Sequence, residues 1–352
     1  MTLLIDVENP YGPEVRIADH HFDGQWVEFY GLLALLRTDP LRCEEFIDSE
    51  RLHAMAQWGT KRPESVGKEV SRHCKRLEQQ GLEIIEVMGK TKLWRLRLPA
   101  GDIELRPSRA SVGRWVSSHT RKLALDEQWV GQLEVLLAAK IALHTGEGES
   151  ARETMREVSA LASPDLDAWA GLIDARGTDA YIDARDNPHA LDELAEYWAK
   201  SGHAAGRSVA ARIRAKIGLR KRILEPDVQY AELEKVAAEL ERGGDIGGLG
   251  AVLNVLGVLA TRTSRPEEAA QHHLRAAALF GIVSDYNSLQ GAIFNIANAR
   301  VRVRQLAGER PDQLCFRLLD SSLEVCRAFS VGLDSVQTEI AGVHWGLDAG
   351  DY

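Results

Sequence analysis

Pro63-Glu-Ser-Val-Gly-Lys-Glu-Val-Ser-Arg-His-Cys-Lys-Arg-Leu-Glu-Gln-Gln80, closed by Gly81, organises the reading of this chain. Its apolar positions Val66, Val70, Cys74 and Leu77 recur at four, four and three residues, which is one face of an α-helix. Lys68, Arg72, Lys75 and Gln79 repeat at four, three and four residues on another face, with Ser71 and Arg76 beside them. After Gly81 the period falls to two: Ile84, Glu86 and Met88, then Trp94, Leu96 and Leu98, divided by Gly89-Lys-Thr-Lys92. That pattern predicts a β-hairpin with a positively charged tip. A helix that offers cations beside a cationic hairpin suits the major groove of a duplex and its flanking phosphates.

The charge is distributed to match. The chain of 352 residues carries 43 Lys+Arg against 52 Asp+Glu, a net charge of −9. Residues 60–125 reverse that sign, with 15 basic against 7 acidic residues, so the cations concentrate where the helix and hairpin lie. Screening over roughly 8 Å at physiological salt limits what the distant acidic groups do to such a patch. The competing account of a basic helix is a solvated surface.

Short β-like runs come first, at Leu3–Val7, Val15–Ala18 and Gln25–Glu28, with Asp23-Gly24 as a turn. Phe29–Leu36 reads as a helix that buries Leu32, Leu33, Leu35 and Leu36. A further helix starts near Asp48 or Ser49, either of which suits an N-cap, and continues through Leu52 and Met55 to Trp58. The resulting order is β-β-α-α-α-β-β.

From about Val15 to Leu98 the sequence resembles the OmpR/PhoB-type winged helix in the N-terminal placement of SARP-like and HilA-like regulators. The matching pieces are Asp23-Gly24 before Val27-Glu-Phe29, the leucine helix at 32–36, Leu52 to Trp58, Val70-Ser-Arg-His-Cys-Lys-Arg-Leu77, and Ile84-Ile-Glu-Val-Met-Gly89 followed by Trp94-Arg-Leu96. Trp94 stands where that family has Tyr, and Lys90-Thr-Lys92 alters its glycine-rich wing. The resemblance implies double-stranded DNA as a partner. Lys68, Ser71, Arg72 and Lys75 would then face the groove, with Arg76 near phosphates and Lys90 and Lys92 on the wing. No receiver-like segment is read ahead of this region, so aspartyl phosphorylation is not implied.

Arg106 to Lys122 forms a basic bridge bearing Arg106, Arg109, Arg114, Arg121 and Lys122, read as a solvated linker or as an extension of the phosphate-binding surface. From Leu125 onward the composition favours helix. Leu253-x-x-Leu256-Gly257-x-x-Ala260, then Arg265-Pro-Glu-Glu-Ala269-x-x-x-His273-x-x-Ala276, sets the small residues Gly257 and Ala269 twelve apart, with a large one four further on and another small one seven on. That spacing resembles a tetratricopeptide repeat. A weaker copy runs through Leu136, Ala139 and Ala142 to Ala151, Met155 and Val158, and degenerate ones span Ala190–Ile217 and Ile293–Phe329. Such a solenoid presents a face for a protein, a peptide or a small effector, and often pairs with a second copy as a homodimer. Asn254, His272, Asn287, Asn295 and Asn298 are candidates to line it, and Asn295, Asn298 and Arg302 share one helical face.

Catalytic motifs are missing: no phosphate-binding glycine loop, no nucleophile elbow and no paired-histidine zinc motif occurs. His20-His21 on an extended segment would point opposite ways, which argues against a metal there. Gly243-Gly-Asp-Ile-Gly-Gly248 reads as a loop between helices. Cys43, Cys74, Cys315 and Cys326 are scattered, as expected of reduced thiols, and no run is long and apolar enough to span a bilayer. The start of the sequence lacks a secretory pattern. The expectation is therefore a cytoplasmic, mainly α protein without cofactor or metal: an N-terminal α+β winged helix (1–103), a basic linker (104–128) and an all-α tetratricopeptide-like domain (129–352). Its expected function is transcriptional regulation through DNA. The alternative is an interaction scaffold whose winged helix binds protein.

Overall fold

The structure, a computed structural model, describes residues 1–38, 43–49, 52, 63–89, 93–145 and 226–329 apart from 8, 10, 12, 45, 107, 244, 245 and 284, together with 196, 200 and 341. The protein is mainly α, with an α+β part at its N-terminus. Met1–Arg109 form one compact unit, and the described residues from Ala110 onward belong to a second.

In the first unit, β1 (Leu3–Asp6) pairs antiparallel with β2 (Glu14–Ile17), and β2 with β3 (His20–Asp23). Leu3, Ile5, Val15 and Ile17 alternate onto the buried side, as the two-residue period requires. Asp23-Gly24 then leads into α1 (Gln25–Arg37), where Gly24 takes a φ of 55° and its carbonyl accepts from the Val27 amide at 3.0 Å. The expected strand at Gln25–Glu28 is thus the first turn of a helix. The run from Phe29 to Leu36 is buried at every position, all round α1, and a helix satisfies that run's backbone internally. The strand that precedes the turn, His-His-Phe-Asp, has a single large apolar residue and so carries little period-two signal.

Next comes α2 (Pro63–Gln79), followed by β4 (Ile85–Met88) and β5 (Leu93–Leu96), which pair antiparallel. Gly81, at φ 78°, ends α2, and the Leu82 amide bonds back to the Leu77 carbonyl at 2.8 Å. This left-handed stop satisfies end carbonyls and buries Leu82 on the helix. Ile47 adds one residue to the hairpin sheet by exchanging two backbone hydrogen bonds with Trp94, at 2.8 and 2.9 Å. A strand not foreseen, β6 (Ile103–Arg106), lies parallel to β1 and completes a sheet of order β3-β2-β1-β6. It crosses the expected boundary at 103, so that the basic bridge is divided between the two units. The expected helix from Asp48 to Trp58 lies largely outside the described residues.

The second unit contains α3 (Arg109–Thr120), α4 (Glu127–Thr145), α5 (Pro226–Gly243), α6 (Ile246–Arg262), α7 (Pro266–Ile282), α8 (Tyr286–Leu306) and α9 (Gln313–Phe329). From α5 to α9 each helix packs on the one before it, and α6 also touches α8. Short connections oblige these neighbours to run antiparallel. Of the glycines read as a loop at 243–248, Gly243 ends α5, and Gly247 and Gly248 lie in α6, where two later glycines admit close approach. A Cβ on Gly250 would lie 3.0 Å from Phe280 Cε1, and one on Gly257 2.5 Å from the His273 ring. Helix α4 packs on α9, where Glu134 holds Arg317 at 2.7 Å. The second half of the weaker repeat, 151–158, and all but residues 196 and 200 of the degenerate copy at 190–217 lie outside the described residues.

Candidate nucleic-acid interface

The two faces of α2 separate as the spacing requires. Val66, Val70, His73, Cys74 and Leu77 are buried, while Lys68, Arg72, Lys75, Arg76 and Gln79 are exposed. Ser71 sits between the faces, half-buried, and its hydroxyl donates to the Gly67 carbonyl at 2.7 Å. It is therefore less available to a partner than the four cations are. Lys90 and Lys92 lie outside the described residues.

Charge pairing distinguishes this helix from its surroundings. On the hairpin, Arg95 is held by Glu86 at 2.7 Å and also by Glu44, and Arg97 by Glu83 at 3.1 Å. On the sheet, Arg16 pairs with Glu14, and Arg106 with Glu104 and Asp6. Among the described residues, no carboxylate lies within salt-bridge distance of Lys68, Arg72, Lys75 or Arg76. The described hairpin strands are thus charge-balanced, whereas α2 offers four exposed cations, spread over about two turns, that make no salt bridge among the described residues.

The buried face of α2 is fixed by aromatic side chains that sequence reasoning did not single out. His73 is 3% exposed and its Nε2 is hydrogen-bonded to Tyr30 Oη at 2.7 Å. The imidazole stacks on Trp26 at 3.8 Å and meets Phe22 edge-on at 5.1 Å. Burial, with Arg76 adding repulsion, lowers the pKa of His73 to about 4, so the ring is neutral at physiological pH. Burial also pushes the Cys74 thiol up to about 12, which leaves it a packing group. The hint available in the sequence was a histidine at an apolar helical position, three residues after Val70 and four before Leu77.

In the second unit the sequence-predicted polar face is partly consumed by internal bonds. Asn254 Oδ1 accepts from Asn295 Nδ2 at 3.3 Å and lies 2.7 Å from His273 Nδ1. Asn298 is half-buried and Arg302 exposed, so Asn295 and Arg302 differ in role: one braces α6 against α8, the other faces solvent. His272 bonds Tyr230, whose hydroxyl donates to Glu268 at 2.5 Å. Arg121, from the basic bridge, pairs with Glu241, which also holds Arg275 at 3.1 Å. That arginine is therefore a brace between α3 and the helices that follow.

No group of three or more metal-ligating side chains occurs among the described residues, and none of the described helices is long and apolar enough to cross a membrane. Comparison with models of known families, with curated proteins and with solved structures found no match.

Proposed function

We propose that this protein is a DNA-binding transcriptional regulator of the cytoplasm, acting by binding and not by catalysis. Its α2 enters the major groove, with Lys68, Arg72 and Lys75 toward the base edges and Arg76 on phosphate. The tip at 89–92 contacts the flanking backbone, in the manner of a winged helix. The observation that carries this reading is the exposed face of four cations that have no carboxylate partner among the described residues, beside the paired hairpin arginines Arg95 and Arg97. Like charges held within one or two helical turns repel one another, and an external polyanion relieves that repulsion while releasing its own counterions. The helices from α5 onward take the part of a tetratricopeptide-like module that binds a protein, peptide or small effector, or a second copy of the chain. Support for that comes from the sequential antiparallel packing and from the Gly257–His273 contact at the repeat-like spacing.

Replacing Arg72 and Lys75 together by Ala tests the DNA reading. Both side chains are exposed, so folding should persist while affinity for duplex falls at least tenfold in an electrophoretic or anisotropy titration. Unchanged duplex affinity in a folded double variant would refute the assignment.

A further inference from the structure

Four of the five buried side chains on α2 are apolar or a thiol, and their packing is non-directional. His73 is the exception. It occupies the middle of that face with a hydrogen bond to Tyr30 and a ring stacked on Trp26, both on α1 and one helical turn apart. Tyr30 is itself 0% exposed, and meets Phe29 edge-on at 5.2 Å; Phe29 meets Trp94 of β5 edge-on at 6.4 Å. Trp94 in turn lies against Gly67 of α2, 4.0 Å from where a Cβ would stand, and carries the backbone bridge to Ile47. One aromatic seam thus links β3, α1, α2 and the hairpin.

We propose that His73 is a positioning residue for nucleic-acid recognition, setting the rotation of α2 about its own axis so that Arg72 and Arg76 reach fixed points on a duplex. This rests on the DNA reading above. Arg72 precedes His73 directly and Arg76 follows it by three residues, so any turn of the helix is passed to both guanidinium groups. A side chain about 5–6 Å from a helix axis moves about 2 Å for a 20° rotation. That displacement exceeds the tolerance of a hydrogen bond to a base edge. It scarcely changes attraction to phosphate, which acts over a Debye length of about 8 Å. Loss of the seam therefore costs selectivity while leaving general duplex affinity in place.

The test uses the full chain and two duplexes: one enriched from a randomised pool by the wild-type protein, and one random. Tyr30→Phe removes the hydroxyl with little change in volume. His73→Leu removes both bond and stack, and His73→Gln keeps an amide where Nε2 lies. The expected result is that Tyr30→Phe and His73→Leu lower the ratio of selected to random affinity at least tenfold, with random-duplex affinity and its salt slope unchanged. His73→Gln should recover most of the ratio. A ratio equal to wild type in folded Tyr30→Phe, or parallel loss on both duplexes, would overturn the positioning role. A pool that yields no preferred duplex overturns it too, while salt-sensitive binding to random duplex would leave the DNA reading standing. Absence of any duplex binding by the wild type removes both.

Discussion

Gly257 illustrates what a single missing methyl group does here. Its Cα faces the His273 ring so closely that an alanine Cβ would lie 2.5 Å from Cε1 and Nε2. His273 is 1% exposed and tied to Asn254, so the ring has nowhere to retreat. Gly257→Ala should therefore destabilise the second unit by about 1–3 kcal/mol, despite the gain in helix propensity. Denaturant titration checks this, and a variant as stable as wild type would show that the α6–α7 contact is looser than described. At this scale much is legible in the sequence: the repeat-like spacing gives Gly257 and Ala269 as small packing positions with the large His273 four residues on, and periodicity sets Lys68, Arg72 and Lys75 on one face with Arg76 beside them. What spacing could not supply was the partner of each polar group. Nothing in the chain order ties His73 to Tyr30, forty-three residues earlier, or Arg121 to Glu241.

The turn from α8 to α9 shows how elements are locked. Gly308 takes a φ of 73°, and Asp312 receives Arg300 at 3.0 Å through Nε and Arg304 at 3.1 Å, and accepts from the Cys315 amide. Burial opposes the charge of Asp312, but these bonds outweigh it and hold its pKa at about 2. The folded value lies below the ordinary carboxylate value of 3.8, so the stabilisation is present in full above that pH and is lost as pH falls toward about 2. Asp312→Asn should cost about 2 kcal/mol at neutral pH, with the difference from wild type shrinking below pH 4. A constant difference across that range would contradict the bonding described. Element order was only partly readable. Helix α2 and the strands β4 and β5 stand where the periods place them, because each buries one clean face. Helix α1 begins four residues early and β3 and β6 were not foreseen. A fully buried helix has no amphipathic period, and four-residue strands carry too few positions to show one.

Across the whole molecule, both units bury neutral imidazoles. Three histidines are buried neutral, His73 and His272 with pKa near 4 and His273 near 3, each lowered chiefly by burial. The unfolded chain binds protons at about 6.5 whereas the native state does not, so stability falls as pH drops from about 6.5 toward about 4. The unit holding His73 should lose up to about 1.4 kcal/mol per pH unit in that window, and the unit holding the other two up to about twice that. Urea unfolding at pH 7 and pH 5 measures this, and a flat profile would mean the rings are more open to solvent than their burial indicates. Mainly α architecture with an α+β start was legible at this scale because composition changes at about residue 125, a bulk property that survives local misreadings.

The proposed role of the four exposed cations of α2 is to bind the phosphates and base edges of duplex DNA. Fluorescence anisotropy with the chain's own upstream region and with random duplex, each across a salt series, addresses it most directly. The expected result is tighter binding to one duplex and affinity that falls with log salt by roughly 0.9 per phosphate contact, a slope of about −3 to −4 for four cations. Absence of binding to either duplex at low salt would contradict it and transfer the function of this face to protein contact.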